Sequence, residues 1–74
     1  MNLKERAFLQ ELGDRIRERR TALKLTQEDL GERCGLHRTF IGSVERGERN
    51  VAILNLWQIS RILRIPLAEL LSLP

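Results

Sequence analysis

Proline does not occur in this chain until position 66, and the only other one is Pro74. Residues 1–65 therefore lack the strongest helix breaker, which has no backbone N–H and clashes with the preceding turn. Apolar side chains fall at helical spacing across that stretch. Phe8, Leu12 and Ile16 recur every four residues, Leu30 pairs with Cys34, and Ile53, Leu56, Trp57 and Leu63 follow. No segment alternates with the period of two that a half-buried strand requires. The expected fold class is all-α.

Local start and stop signals divide this helical chain. Asn2, with Glu5 three residues on, has the form of a capping box. It opens a helix over about residues 3–23, which Gly13 either leaves whole or divides. Thr26 is an N-cap for a second helix. That helix ends at Gly35, where a left-handed residue is needed, and Leu36 follows in the turn. A third helix over 38–46 stops at Gly47. After the polar loop Glu48–Asn50, a fourth covers 52–63. Pro66 ends it and starts a fifth at a first-turn position, with Leu67, Leu70 and Leu71. Five helices in 74 residues make one compact orthogonal bundle over 1–74, without linker or repeat.

Composition narrows the function. The formal net charge is +3, with arginines grouped at Arg15, Arg17, Arg19 and Arg20 and again at Arg38, Arg46 and Arg49. Such clusters suit a polyanionic partner, or are ordinary solvated surface. Cys34 is alone and cannot form an intramolecular disulfide; a core position is expected for it. One His and one Cys cannot supply a four-ligand metal site. There is no Gly-rich phosphate loop and no nucleophile signature. No enzyme activity, metal, cofactor or small-molecule ligand is expected. No apolar run is long enough to span a membrane and no signal-peptide pattern is present, so a cytoplasmic location is expected.

Residues 27–46 have the spacing of a helix-turn-helix. Leu30, Cys34, Leu36, Ile41 and Val44 are apolar anchors. Gly31 is small where two helices cross, and Gly35 makes the turn. Projection of the third helix at about 100° per residue gathers Arg38, Thr39, Gly42, Ser43 and Arg46 on one small, polar or basic side. Phe40, Ile41 and Val44 fall on the other. A helix so divided fits the major groove of double-stranded DNA, which is wide enough to admit it.

The run LTQEDLGERCGLHRTFIGSVERGERN resembles the lambda-repressor and Cro-like (XRE) helix-turn-helix family, over about residues 12–71. Within it, FIGSVERGERNVAILNL is similar to the small controller proteins of restriction–modification systems. The resemblance implies a five-helix lambda-repressor-like DNA-binding domain. It gives Arg38, Thr39 and Ser43 base-reading positions. It places Gln27, Arg46, Arg49 and Asn50 at phosphate-binding positions, and makes Arg20 and Glu45 a structural ion pair between the first and third helices. His37 is either a local cap or a base contact. Phe40 is either part of the core or a contact to a thymine methyl, and Arg17 is a further candidate DNA contact. Three positions depart from the family pattern: Lys24 replaces a frequent glycine, Val51 a frequent proline, and His37 a capping Ser or Thr. Gly42 weakens the reading helix by about 1 kcal/mol relative to alanine.

Two surfaces complete the expectation. The C-terminal third, about residues 52–74, offers more apolar surface than one small core hides. A homodimer is expected there through Leu67, Leu70, Leu71 and Leu73 with Ile65 and Trp57, although Trp57 fits the core equally. Glu28 and Glu32 share one face of the second helix, at positions where a lambda-type repressor touches RNA polymerase. Alternatively, Glu28 and Asp29 complement the positive end of a helix dipole. The function implied is a transcription regulator acting as a homodimer on a palindromic operator, by activation and repression. The alternative is an antitoxin-type module that binds a toxin and its own promoter.

Overall fold

A computed structural model describes residues 1–73. Pro74, the last residue of the expected dimerisation region, lies outside the described residues. The chain folds as α1 (Leu3–Ala22), α2 (Gln27–Cys34), α3 (Arg38–Glu45), α4 (Ile53–Ile62) and α5 (Leu67–Leu70). No strand occurs among the described residues. Among the described residues no helix is long and apolar enough to cross a membrane.

The helix starts follow local chemistry. Asn2 Oδ1 accepts from the Glu5 N–H at 2.8 Å, and Glu5 Oε1 accepts from the Asn2 N–H at 2.9 Å. Thr26 and Asp29 form the same reciprocal box at the head of α2. The Thr26 backbone N–H, and then its hydroxyl, hold the Asp29 carboxyl below the usual carboxylate range. Pro66 occupies the N-cap of α5, so Leu67 is the first helical residue and the helix begins one position later than expected.

The first four helices end by one device. Lys24, Gly35, Gly47 and Arg64 have φ of 60°, 71°, 72° and 56°. One residue further on, the N–H groups of Leu25, Leu36, Glu48 and Ile65 reach back to the carbonyls of Arg20, Gly31, Ser43 and Ser60 at 2.8–3.1 Å. These are Schellman closures, which satisfy carbonyls that the helix leaves unpaired. Two use glycine. Lys24 and Arg64 accept the left-handed conformation at a steric cost that glycine avoids.

Leu12, Ile16, Leu30, Ile41, Val44, Leu56, Ile59, Leu63 and Leu70 form the core. One open alternative is decided here and two sequence expectations change. Gly13 does not divide α1, because its role lies in packing. A Cβ on it would stand 2.5 Å from the carbonyl oxygens of Val44 and Glu45, so the missing side chain lets α1 and α3 meet backbone to backbone. Phe8 is exposed, and the buried stripe of α1 is Leu12 and Ile16. In α4 the stripe is Leu56, Ile59 and Ser60, continued by the C-cap Leu63, while Ile53 and Trp57 face outward.

Candidate nucleic-acid interface

The helix-turn-helix is built from α2, the turn through Gly35, and α3. Gly31 lets the turn close, because a Cβ there would lie 2.4 Å from the Leu36 carbonyl oxygen. The far end of α3 is fixed by Glu45, whose side chain is 2% exposed. Arg20 Nε donates to Glu45 Oε2 at 2.6 Å and Arg20 Nη2 donates to Oε1 at 3.0 Å. Arg20 Nη1 donates to the Leu25 carbonyl. Gln27 Nε2 adds a third bond to the carboxylate, at 3.1 Å on Oε1. A two-pronged guanidinium–carboxylate pair is directional as well as strong. It therefore fixes α3 in angle and in register on α1.

That network also sets the neighbouring groups. With its amide nitrogen on Glu45, Gln27 lies across Gly42. A Cβ at Gly42 would be 3.3 Å from Gln27 Oε1 and 3.1 Å from Arg46 Nη1. Gly42 thus lowers helix propensity but gives Gln27 and Arg46 room to approach each other over α3. Arg46 Nε also donates to Glu48 Oε2 at 3.1 Å.

The first turn of α3 faces solvent. Arg38 and Thr39 are both exposed. His37 caps the helix, its Nδ1 accepting from the Thr39 N–H at 3.0 Å, and the Thr39 hydroxyl shares the same ring nitrogen. Arg38 Nη1 lies 3.9 Å from Glu28 Oε2 on open surface. Exposed pairs of that kind contribute little to stability, so Arg38 is easily drawn away. Glu32 borders the same groove as Glu28, Leu36, His37 and Arg38.

Other expected residues are placed differently. Ser43 is only 8% exposed, its hydroxyl bonded to the Phe40 carbonyl and to Arg49 Nε. Phe40 is half-buried against the core, with the Arg49 guanidinium over its ring at 5.1 Å. Asn50 borders a cleft formed by Met1, Lys4, Glu5, Phe8 and Leu9. In the first arginine cluster, Arg15 Nη1 donates to the Glu69 carbonyl at 2.9 Å. Arg19 donates to the carbonyls of Leu63 and Arg64. These two stitch α1 to the ends of α4 and α5, a role the sequence pattern does not indicate. Arg17 is exposed on α1.

The expected dimer residues separate into two groups. Leu70 belongs to the core, fully buried where α5 packs on α1 and α4, and offers nothing to a partner. Ile65, Leu67, Leu71 and Leu73 are half-buried around it. Trp57 is exposed, with Arg61 over its ring at 4.9 Å, and Ile53 and Leu54 beside it on α4 are exposed as well. The sequence pattern assigns those two to no surface.

A model of the helix-turn-helix family matches residues 16–70. The chain is 44% identical over 61 residues to the control protein C.SmaI of Serratia marcescens, covering 82% of this chain and 73% of that one. It is 40% identical to the control protein C.BamHI of Bacillus amyloliquefaciens, over 81% of this chain and 75% of that one. The structure is similar to that of the restriction–modification controller protein C.AhdI from Aeromonas hydrophila, with a TM-score of 0.84 and 45% identity over 86% of this chain and 97% of the other. It is also similar to a hypothetical transcription factor from Neisseria, with a TM-score of 0.85 and 31% identity over 95% and 80%. The chain belongs to the helix-turn-helix family of the XRE type, as a sequence-specific DNA-binding regulator homologous to restriction–modification control proteins.

Proposed function

We propose that the protein acts as a homodimer on a palindromic DNA site and controls restriction–modification genes, activating from one position and repressing from another. The observation that carries the reading is the buried Glu45 network. It holds α3 on α1 and α2, with Arg38 and Thr39 exposed on its first turn and Gln27 and Arg46 together over Gly42. Arg38 reads a guanine through N7 and O6, the commonest specific contact an arginine makes in the major groove, and Thr39 reads beside it. Gln27, Arg46, Arg49 and Asn50 meet phosphates, while His37 caps the reading helix and orients Thr39. Arg17 is a further phosphate contact from α1.

A second copy docks on α4 through Ile53, Leu54 and Trp57, bordered by Ile65, Leu67, Leu71 and Leu73. Two-fold symmetry then sets the reading helices about 34–36 Å apart, one turn of DNA. Glu28 and Glu32 contact RNA polymerase when the dimer activates.

Selection of bound sites from random DNA, followed by affinity measurements on the recovered site, tests the reading. Arg38→Ala is expected to lose about 1–3 kcal/mol and to relax preference at one base position. Equal weakening on all sequences would remove Arg38 from base reading. Arg46→Ala with Arg49→Ala should lower the slope of log affinity against log salt by about 0.9 for each phosphate that is no longer neutralised. Glu28→Gln with Glu32→Gln should preserve operator affinity and abolish activation in vitro; retained activation rejects the polymerase contact.

A further inference from the structure

Ser43 projects onto the polar side of α3, yet its hydroxyl is already engaged. Oγ donates to the Phe40 carbonyl at 2.7 Å and accepts from Arg49 Nε at 3.1 Å. A hydroxyl has one proton to donate, and here a backbone carbonyl takes it. To donate to a base edge the hydroxyl would have to break that bond, and the residue is nearly buried.

Arg49 shows the other side of this arrangement. It lies six residues beyond Ser43, after the Gly47 turn, in a loop without helical hydrogen bonds of its own. An arginine in such a loop samples many rotamers, and ordering it on binding costs entropy. Here it is held at two points, with Nε on Ser43 and the guanidinium plane over Phe40, Cζ being 5.1 Å from the ring centroid. The two terminal nitrogens point away from Nε and keep their N–H donors. A guanidinium offers these as a planar fork that matches two oxygens of one phosphate.

We propose that Ser43 is a positioning residue. Together with Phe40 it fixes Arg49 before DNA arrives, so that the terminal nitrogens meet a phosphate without a search through rotamers. This rests on the DNA-binding reading above and changes one part of it. Ser43 sets how strongly the protein binds, with no influence on which sequence it prefers.

Fluorescence anisotropy with the full chain tests this on the selected site and on its single-base variants. Ser43→Ala is expected to weaken every site by the same factor, about three- to tenfold, as for removal of one net hydrogen bond. In an Arg49→Ala background the same substitution should cost nothing further. Loss of discrimination at a single base pair, or a full cost that persists beside Arg49→Ala, overturns the proposal. A second measurement needs no DNA. The Arg49 Nε–H nitrogen-15 signal should be slow to exchange in the wild type and averaged in Ser43→Ala, with the melting curve confirming that the variant folds. An averaged Arg49 in the wild type overturns the proposal whatever the DNA results. If the wild type bound no DNA, the underlying reading would fail, and a slow-exchanging Arg49 would still support the Ser43–Arg49 hold.

Discussion

Helices α3 and α4 are of similar length, eight and ten residues, and are held in opposite ways. In α3 five consecutive residues, Ile41 to Glu45, are buried, and its far end is bolted to α1 and α2 by Glu45. What it shows to solvent is polar: Arg38, Thr39 and the cap His37. In α4 only Leu56, Ile59 and Ser60 are buried, no side chain caps its start, and Ile53, Leu54 and Trp57 stand in solvent. Each helix has an aromatic ring with an arginine over it, Phe40 under Arg49 and Trp57 under Arg61. The contrast separates two kinds of recognition. A helix that must hydrogen-bond to a patterned surface needs its angle fixed by directional bonds. A helix that offers apolar area to a partner needs only enough support to stay folded, because the hydrophobic effect is non-directional.

Removal of the bolt gives the largest effect. Glu45→Ala strands Arg20, which is 11% exposed, and should cost about 3–5 kcal/mol in urea unfolding. A loss below about 1 kcal/mol would mean that α3 is held by apolar packing, as α4 is. Gly13→Ala comes next, at about 1–3 kcal/mol, the usual range for overpacking. Its methyl would overlap the Val44 and Glu45 carbonyls and push α3 off α1. An unchanged melting temperature would show that the two backbones separate freely.

The ends of the two helices sharpen the comparison. Gly47 closes α3 and Arg64 closes α4, both at positive φ. Arg64→Gly relieves a left-handed arginine and should stabilise by about 0.5–1 kcal/mol, net of the extra freedom of glycine when unfolded. A destabilised variant would mean that the Arg64 side chain outweighs its backbone strain. The smallest change in folding is expected on the outer side of α4. Ile53→Ser with Leu54→Ser should shift monomer stability by no more than about 0.5 kcal/mol, yet turn a dimer into monomers in sedimentation. Dimers that persist would move the interface away from α4.

The caps and turns are legible in the sequence because their chemistry is local. Asn2 with Glu5, Thr26, Gly35 and Gly47 each act within a few residues of chain. Lys24 in place of a frequent glycine marks the first left-handed closure; Arg64 carries no such mark. The inner side of α4 is illegible for a different reason. Ile53, Leu54, Leu56, Trp57, Ile59, Ile62 and Leu63 are so dense that several helical stripes can be drawn through them. Only the packing of α4 against α2 and α5 selects one. Leu70 is expected on a surface when a small core is taken to be full without it, whereas α5 completes that core. Ser43 lies near the edge of the polar arc, where helical projection decides least, and its hydroxyl turns back onto the Phe40 carbonyl and Arg49. The pairing of Arg20 with Glu45 spans 25 residues and follows from family resemblance, since charge pattern alone does not join positions so far apart.

Trp57 also gives the molecule a built-in optical reporter. The chain has one tryptophan and no tyrosine, and that residue is 44% exposed. Indole emission follows the wetness of its surroundings, and here the ring is already half wet in the folded monomer. Unfolding should therefore move the emission maximum only modestly. Coverage by a second copy should move it to shorter wavelength, so a dilution series read in one cuvette would report assembly without a label. DNA bound at α3 meets a different helix from the one that carries the fluorophore. Titration with operator should then leave the emission colour of preformed dimers unchanged and shift that of monomers that DNA brings together.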